Sequence, residues 1–584
     1  MLTKDPLQPL ARLWVAFVIP VIVTVISILL KLASGPYWQF PDPSYGYLLS
    51  SLSIVKTLTT TFTDHPGTPV SILGAVIISL SNLGRSAADT VHRVLIAPDH
   101  YLNAISVVMI AFVFLSSLCT GVYIYRRTGD KLACFLSQLP VLTFLSLRSC
   151  SSYEYVLPVV TNVSPEPLLI SISFLFSLFL LKLYFAKDLK EETLAVLSLG
   201  FICGLGIAAR LTFIPFLLLP LIFCRWPFKF LFVFVFVLSC VLWTIPVISS
   251  YALIWSWLIK LLTHVGRHGS GAQGFVMLPQ YLTDWRTMLG RCGYLTAFAL
   301  IAGGLSLIQA VRSRTVSREA GFFFATAFCI LAQFALIAKH YDDHYLVAVI
   351  SMFSPLFVFF YLSVKNKGVV FKAAVSVYIF LFIMLSIGQA LIFYKQLSGF
   401  TNDAVSFHDR LLAKYPDYDL VGIFPMPMLT PQAAFFWGND RDTSVQDELA
   451  NLYPKSLAYF DNYSSTNSQA AYLSGIYQIK HRVWAEDLLE AGAQVVLLGP
   501  KGYDFSQSPY KVTLLEQGKY AAAYLLTGST EKQADHFFVA SFKLAQAGDF
   551  PHAFAFALKS RELHYQPVQK VDLLLSMIYQ SIKH

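Results

Sequence analysis

A carboxylate between two prolines is the first feature of this sequence that could take part in chemistry. Asp42 lies in the run PYWQFPDPSYGY, between Pro41 and Pro43. Proline fixes its own φ and restricts the residue before it, so the backbone at Asp42 is expected to be extended and stiff. A carboxylate held in this way can accept a proton during catalysis. The run SYGYLLSSLSIV that follows has the spacing of a helix lying on the membrane surface, and the alternative is that Asp42 caps that helix.

Three further polar side chains stand beside prolines at the borders of apolar segments. Asp64 and His65 precede Pro66 in the run DHPGTP, and Glu166 follows Pro165 at the start of a long apolar run. Such positions form rigid turns, which can hold a carboxylate or an imidazole at the membrane surface. A purely structural role for His65 remains open.

Several basic side chains also occur at the ends of apolar runs. Fixed cations of this kind can bind a phosphate group. The candidates are Arg210, Arg267, His268, Lys339 and His344. For Arg210 the alternative is a helix-end side chain that reaches out to water, and the glycine-rich run HVGRHGSGAQG can be either a loop that closes over a ligand or an ordinary connector.

The run KHYDDHYL contains side chains of the types that bind metal ions. Asp342 and Asp343 stand between His340 and His344. Adjacent residues rarely chelate one ion together, so no metal site is predicted, and a divalent metal remains a possibility that the pattern does not favour.

The composition places these residues in a membrane protein. Of 584 residues, 56% are hydrophobic and only 13% are charged, and the mean hydropathy is +0.59. A soluble enzyme carries roughly a quarter charged residues, so that class is excluded. The net charge of +9 fits the basic cytoplasmic loops of a membrane protein better than a nucleic-acid partner.

Apolar runs of about 20 residues predict about eleven transmembrane helices. Arg210 divides a region that could also form a single span. The predicted spans are 11–33, 101–124, 132–147, 167–185, 193–209, 211–224, 230–250, 292–311, 320–338, 345–363 and 370–395.

The basic residues predict the sidedness of these spans. With the N-terminus inside, the basic runs RSRTVSR and KNKGVVFK face the cytoplasm, as the positive-inside rule requires. The long first loop (34–100), the loop before Glu166, Arg210, and the runs HVGRHGSGAQG and KHYDDH then all lie on the outer side. A single span over 193–224 would reverse the later loops.

The composition changes near residue 397. Residues 1–396 are predicted to form the transmembrane catalytic domain and 397–528 a soluble α/β domain, in which YDLVGIF and AQVVLLG are buried strands. Residues 529–584 are similar to a tetratricopeptide-type helical hairpin, with small residues at Ala540, Ala553 and Ala557. An ordinary amphipathic helix pair is the alternative, and either could contact a protein partner.

Four motifs in order resemble the GT-C superfamily of membrane glycosyltransferases, which includes protein mannosyltransferases and aminoarabinose transferases. Asp42 with DHPGTP resembles the first-loop acid and the "HPP" turn of that family. NVSPEPLLISISFLF resembles its second acidic position, and GLGIAARLTFIPFLLLP its glycine-rich span ending in a basic residue. KHYDDHYLVAVISMFSPLF is similar to its "RY-leucine-Pro" span. The resemblance covers roughly residues 1–370.

This resemblance implies the inverting transfer of a sugar from a polyprenyl-phosphate carrier to an acceptor on the outer membrane face. Asp42 would be the base that deprotonates the acceptor hydroxyl. Asp64, His65 and Glu166 would support the acceptor or orient the cations. The phosphate would be bound by the basic group, Arg210 first, then Arg267, His268, Lys339 and His344.

The sequence departs from the family pattern at two points. Many relatives carry two adjacent acids in the first loop, whereas this chain has Asp42 alone, so a metal-bound carboxylate pair is not expected. His344 stands where the family has a donor-loop arginine. No cofactor is predicted.

Two other functions remain compatible with the sequence. A transporter or lipid-carrier flippase would show charges deep in the spans and repeated halves with broken helices. A noncatalytic envelope assembly protein would use the C-terminal helices to recruit partners. The expected partners of the favoured function are the donor lipid, a lipid, glycan or protein acceptor, and the bilayer. The expected location is a bacterial inner membrane, with the C-terminal domain in the periplasm.

Overall fold

The structure is a computed structural model that describes residues 13–583 with internal gaps. The gaps are residues 64–66, 149–156, 267–268, 270, 314–317, 365–367, 424–429, 440–441, 454–458, 462–474, 478–481, 484–488, 490–491, 493, 503–504, 506–509, 530–537, 539–540, 543–544, 546–549 and 563–567.

Helices make up the first two thirds of the chain. They are α1 (Trp14–Ala33), α2 (Ser44–Thr57), α3 (Thr68–Ser81), α4 (Ala87–Ile96), α5 (Pro98–Thr128), α6 (Lys131–Gln138), α7 (Pro165–Phe185), α8 (Leu189–Ala209), α9 (Leu218–Phe223), α10 (Trp226–Thr244), α11 (Tyr251–Thr263), α12 (Leu278–Arg291), α13 (Gly293–Ser313), α14 (Arg318–Ile337), α15 (Leu346–Val364) and α16 (Val369–Lys414). Short 3-10 segments lie at Tyr37–Gln39, Leu139–Leu145, Leu211–Leu217, Ile245–Ser250, Ala338–His340 and Asp343–Tyr345.

The predicted polytopic helical fold is confirmed. Among the described residues, eight helices are long and apolar enough to cross a membrane, and the bent pair α12 and α13 would make a ninth. Two predicted spans, 132–147 and 211–224, correspond to the shorter apolar segments Lys131–Leu145 and Leu211–Phe223. Every predicted span therefore has a helical counterpart, but these two are shorter than a single straight crossing requires.

The chain breaks at Arg210, as the sequence predicts. α8 ends at Ala209, and Arg210 has extended backbone geometry, with φ −161° and ψ 127°. A 3-10 segment follows, with Pro215 inside it. Because proline lacks the N–H that a continuing helix needs, the two halves do not merge into one straight helix.

Close packing of α8 against α10 depends on a glycine. A Cβ atom placed on Gly204 would lie 2.6 Å from the backbone nitrogen of Cys240 and from the side-chain oxygen of Ser239. Small residues allow membrane helices to approach in this way. The glycine-rich character of this span therefore serves helix packing.

The prediction that the segment after Asp42 lies on the membrane surface is wrong. Helix α2 is buried at every residue from Ser44 to Ile54. Its serines, such as Ser50 and Ser51, are small enough for close contact and satisfy their hydroxyls within the protein: Ser51 Oγ donates to Tyr47 O at 2.7 Å. The helix is part of the protein interior.

A seven-stranded mixed sheet forms the C-terminal α/β part, as predicted. Its strands are β1 (Asp419–Ile423), β2 (Tyr459–Asp461), β3 (Gly475–Tyr477), β4 (Arg482–Val483), β5 (Val495–Pro500), β6 (Tyr510–Gln517) and β7 (Ala521–Ser529), in the order β4-β3-β2-β1-β5-β7-β6. β1 pairs in parallel with β2 and β5, and the remaining pairs are antiparallel. Both predicted strands are at the centre of the sheet, as β1 and β5.

Among the described residues, four more helices accompany the sheet. α17 (Pro431–Asn439) and α18 (Gln446–Leu452) follow β1, and α19 (Phe550–Glu562) and α20 (Val568–Lys583) follow β7. α19 and α20 share an apolar core that includes Ala553, Ala557 and Leu574. Ala540 lies outside the described residues.

The chain forms two compact units. The first contains residues 1–37, 42–398 and 440–445, and the second contains 38–41, 399–439 and 446–584. The predicted domain borders at 397 and 529 stay a prediction. The short segment 440–445 belongs with the helical unit.

Candidate active site

A buried ion pair joins the start of α7 to the end of α8. Arg210 Nη2 donates to Glu166 Oε1, and the two side chains expose only 6% and 3% of their surface. The positive end of the α7 dipole favours the carboxylate, and the negative end of the α8 dipole favours the guanidinium. Arg210 is therefore not a helix-end side chain reaching out to water.

An aromatic ring and a histidine flank this pair. The guanidinium carbon of Arg210 lies 4.9 Å from the ring centre of Tyr345, in a cation–π contact. The ring of His344 is 4.3 Å from that of Tyr345. His344 Nδ1 lies 3.3 Å from Asp342 Oδ1. Residues of the KHYDDHYL segment therefore line one side of the Glu166–Arg210 ion pair.

Asp42, in the first loop, lies within electrostatic range of the same histidine. The charges of Arg210, Asp342 and Asp42 all act on the imidazole of His344. Asp42 is exposed, and Pro43 rather than Asp42 is the N-cap residue of α2. The capping alternative for Asp42 therefore does not describe this helix.

Hydrogen bonds fix the Asp42 segment to the Glu166 segment. Ser44, two residues after Asp42, donates to the side-chain oxygen of Asn162 and accepts from Val163 N at 3.2 Å. All three residues are buried, and Glu166 lies three residues after Val163 in the sequence. The two acidic positions are consequently held in one region.

Tyr37, on the N-terminal side of Asp42, is also hydrogen-bonded to the segment before Glu166. Tyr37 Oη donates to Thr161 O at 2.8 Å, and Ser106 Oγ donates to the same carbonyl at 2.9 Å. Burial raises the pKa of Tyr37 above its usual range. The phenol therefore stays protonated and keeps its hydrogen bond at any physiological pH.

The two adjacent aspartates have different partners. Asp343 accepts from Tyr341 Oη and lies 3.4 Å from Arg291 Nη2, whereas Asp342 contacts His344. Burial, with help from the charge of Asp343, raises the pKa of Tyr341. Asp343 thus connects the KHYDDHYL segment to α12 through Arg291. Asp342 instead contacts His344, which lies beside Tyr345 and Arg210.

Lys339 contacts the end of α11. Its Nζ donates to Leu262 O at 2.6 Å and lies 4.9 Å from the ring centre of Phe275. Nearby, Val265 N donates to Ala272 O at 3.1 Å, so the base of the HVGRHGSGAQG loop is a closed turn. These are the contacts that the structure gives for Lys339, and none of them involves Arg210.

Four predicted site residues cannot be placed. Asp64, His65, Arg267 and His268 lie outside the described residues. Gly67, which follows the DHP run, is described, and its N–H donates to Ala209 O at 3.2 Å. Gly67 therefore lies beside the residue that precedes Arg210.

Several buried polar atoms in this region have no hydrogen-bond partner among the described residues. They are Arg210 Nε, Asn162 Nδ2 and Ser164 Oγ. Buried donors are almost always satisfied, so atoms left open beside an ion pair are candidates to bind a ligand or water. An open guanidinium N–H suits an anion such as phosphate.

The described residues contain no group of three His, Cys, Asp or Glu side chains arranged to hold a metal ion. The carboxylates of the cluster are instead engaged with Arg210, His344 and Arg291. Among the described residues, Glu166, Asp342 and Asp343 thus pair with basic side chains of the protein.

Sequence reasoning missed Tyr345 and the separate roles of Asp342 and Asp343. The aromatic residue directly after His344 is visible in the sequence, but only the fold places its ring over Arg210. The alternation of Asp342 and Asp343 between two partners follows from the extended backbone at Asp342 (φ −146°, ψ 151°), which sends successive side chains in opposite directions.

No protein-family model matches the chain, and no curated protein sequence matches it.

Solved structures do match. ArnT from Cupriavidus metallidurans bound to undecaprenyl phosphate is similar with a TM-score of 0.48 and 12% identity, over 87% of this chain and 99% of that one. The apo form of the same protein gives 0.47 and 11%, with the same coverage. The Archaeoglobus fulgidus oligosaccharyltransferase in complex with Zn and sulfate gives 0.38 and 12%, over 97% of this chain and 86% of that one.

Proposed function

We propose that this chain is a membrane glycosyltransferase that transfers a sugar from a polyprenyl-phosphate-linked donor to an acceptor hydroxyl, with inversion. The observation that carries the proposal is the buried Glu166–Arg210 pair, in which Arg210 Nε is buried and has no protein partner among the described residues. Asp42, an exposed carboxylate, lies two residues before Ser44, which is hydrogen-bonded to Asn162 and Val163 just before Glu166. A base and an anion-binding group are the two elements that such a transfer needs.

The transfer is a single displacement at the anomeric carbon. The acceptor oxygen forms a bond to that carbon while the bond from the carbon to the phosphate oxygen breaks. Asp42 takes the proton of the acceptor hydroxyl, and the lipid phosphate leaves with one additional negative charge. Removing such a base lowers the rate by about 10²–10⁴-fold in enzymes generally.

Arg210 stabilises the charge that develops on the departing phosphate. Its Nη2 is held by Glu166, whereas its Nε is buried and has no protein partner in the described residues. Glu166 and the Tyr345 ring fix the guanidinium plane, so the open N–H has a defined direction before the ligand arrives. Preorganised donors in a water-poor site stabilise charge more strongly than water does.

The decisive variant is Asp42→Asn. In a bacterial strain that lacks this gene, the wild-type chain should restore a modified envelope glycan detectable by mass spectrometry, and Asp42→Asn should not. Asp89→Asn is the matched control, because Asp89 is an exposed first-loop carboxylate in the first turn of α4. Full restoration by Asp42→Asn at equal protein amount would exclude Asp42 as the base.

A binding experiment tests the donor class separately. The purified full chain should bind undecaprenyl phosphate, and Arg210→Ala should weaken that binding while Asp42→Asn leaves it nearly unchanged. A flippase predicts instead that Asp42→Asn still moves labelled lipid between the leaflets of proteoliposomes and that no sugar transfer accompanies it.

The proposed location is a bacterial inner membrane, with the site and the C-terminal domain in the periplasm. A cysteine at position 89 should then react with a membrane-impermeant thiol reagent in cells whose outer membrane has been permeabilised. A cysteine at position 188, in the exposed turn between α7 and α8, should react only after the inner membrane is opened. Labelling in the reverse pattern would invert the proposed orientation.

A further inference from the structure

A buried carboxylate far along the chain contacts the first loop. Asp442 is 1% exposed and lies in the segment 440–445, which belongs to the same compact unit as α2 and α3. Thr60 Oγ1 donates to Asp442 Oδ2 at 2.6 Å, and Thr61 N donates to the same oxygen at 3.3 Å. These two threonines lie in the connection between α2 and α3.

The other carboxylate oxygen holds its own segment in place. Ser444 N donates to Asp442 Oδ1 at 3.0 Å, and Ser444 Oγ donates to the same atom. From the first loop, Lys56 Nζ donates to Ser444 O at 3.0 Å. Asp442 therefore accepts hydrogen bonds on both oxygens, and the two segments are joined at more than one point.

Thr60 transmits this contact into the helices of the first loop. Its hydroxyl lies 2.7 Å from Ser50 Oγ in α2, and Ser50 Oγ lies 2.8 Å from Ser71 Oγ in α3. Its backbone N–H donates to Pro246 O at 3.0 Å. All of these hydroxyls are buried, so the threonine has one position compatible with its partners.

A second route leads from Thr60 towards Arg210. Phe62 N donates to Thr60 Oγ1 at 3.2 Å, and the ring of Phe62 packs edge-on against Tyr47 at 4.9 Å. The Tyr47 ring lies against Gly67, whose N–H donates to Ala209 O. The connection that starts at Asp442 thus ends at the backbone next to Arg210.

We propose that Asp442 is a positioning residue for the transfer reaction: its carboxylate fixes the described part of the α2–α3 connection, and with it Gly67, whose N–H donates to Ala209 O beside Arg210. The inference rests on the proposed glycosyltransferase function. Asp442 itself touches no reacting group. A carboxylate is required because an amide has only one accepting oxygen, whereas Asp442 accepts from donors on both sides.

Asp442→Asn should lower transfer by about 10- to 100-fold, the size of effect expected when a reacting group is misplaced by a small distance. Binding of undecaprenyl phosphate should change less than about threefold, because Glu166 continues to hold Arg210. Amide hydrogen exchange at residues 58–63 should become faster while the unfolding midpoint changes little. Asp417→Asn, an exposed aspartate before β1, is the matched control.

Thr60 provides a second variant in case Asp442→Asn does not fold. Thr60→Val removes the hydroxyl and should reproduce the loss of transfer, whereas Thr60→Ser keeps the hydroxyl and should restore it. Wild-type transfer by both Asp442→Asn and Thr60→Val would overturn the inference. The inference would also be overturned if the variants lost transfer in proportion to a lowered unfolding midpoint while amide hydrogen exchange at residues 58–63 stayed unchanged. A wild-type chain that restores no glycan and binds no undecaprenyl phosphate would overturn the proposed function itself.

Discussion

Glu166 and Arg210 form an ion pair in which the side chains expose 3% and 6% of their surface. The pair lies where the first turn of α7 meets the residue after α8, so both helix dipoles favour its polarity. Neither charge has bulk water to solvate it. Each therefore depends on the other, and removing one leaves a buried charge uncompensated.

Glu166→Gln should be strongly destabilising for this reason. Breaking a buried pair by removing one partner costs about 3–5 kcal/mol. Unfolding of the full chain in one detergent, followed by circular dichroism, measures the effect. Glu191→Gln is the control, since Glu191 pairs with Arg127 at 3.0 Å where the side chains are 44% and 24% exposed. An exposed pair contributes about 0–1 kcal/mol, so equal losses in the two variants would contradict the prediction.

Arg210→Lys should preserve the positive charge but weaken phosphate binding. Lysine can pair with Glu166, but it has no second N–H in a fixed plane and stacks less well on Tyr345. We expect the Kd for undecaprenyl phosphate to rise about tenfold, equivalent to about 1.4 kcal/mol. Fluorescence titration with the purified chain measures it, with Arg127→Lys as control. Unchanged affinity would show that the guanidinium geometry is not used.

Asp342→Asn and Asp343→Asn should have different effects although the residues are adjacent. Asp343→Asn weakens the contacts with Tyr341 and Arg291 and should lower the unfolding midpoint. Asp342→Asn changes the charge beside His344 and should lower transfer at a nearly unchanged midpoint. Measuring both quantities for both variants separates the roles. The same profile in the two variants would be inconsistent with separate partners.

Gly67→Ala should disrupt the turn beside Arg210. Gly67 has φ +50°, a left-handed conformation that favours glycine, and a Cβ atom there would lie 2.8 Å from two ring carbons of Tyr47 and still closer to its hydroxyl. We expect loss of transfer and a lower unfolding midpoint. Gly304→Ala is the control, because a Cβ at Gly304 in α13 meets nothing within 4 Å. A neutral Gly67→Ala would show that the turn adapts.

The sequence predicted the parts of the site that local pattern determines. Prolines beside Asp42 and Glu166, and the break at Arg210, mark ends of apolar runs, and ends on one side of a membrane meet in the fold. The same reasoning predicts that Asp42, Glu166, Arg210 and His344 lie in one region of the protein. Lys339 belonged to the same pattern, yet its contacts are with Leu262 and Phe275.

Other features depend on contacts that sequence spacing does not encode. Asp442 meets Thr60 across 382 positions of chain, and no local motif marks either residue. The burial of α2 was missed because an apolar helix rich in serine fits a lipid surface and a protein interior equally well by pattern. Only the hydroxyl network of Ser50, Thr60 and Ser71 distinguishes the two environments.

The Glu166–Arg210 pair also constrains how the protein is built into its membrane. α7 and α8 are joined by three residues, 186–188, and the two charges sit at the opposite, open end of this hairpin. Both charges lie at helix ends, and the pair can form only when α7 and α8 are both in place. Because each buried charge depends on the other, a hairpin that enters the membrane as one body brings the two together, so biogenesis favours simultaneous rather than stepwise delivery of these two segments.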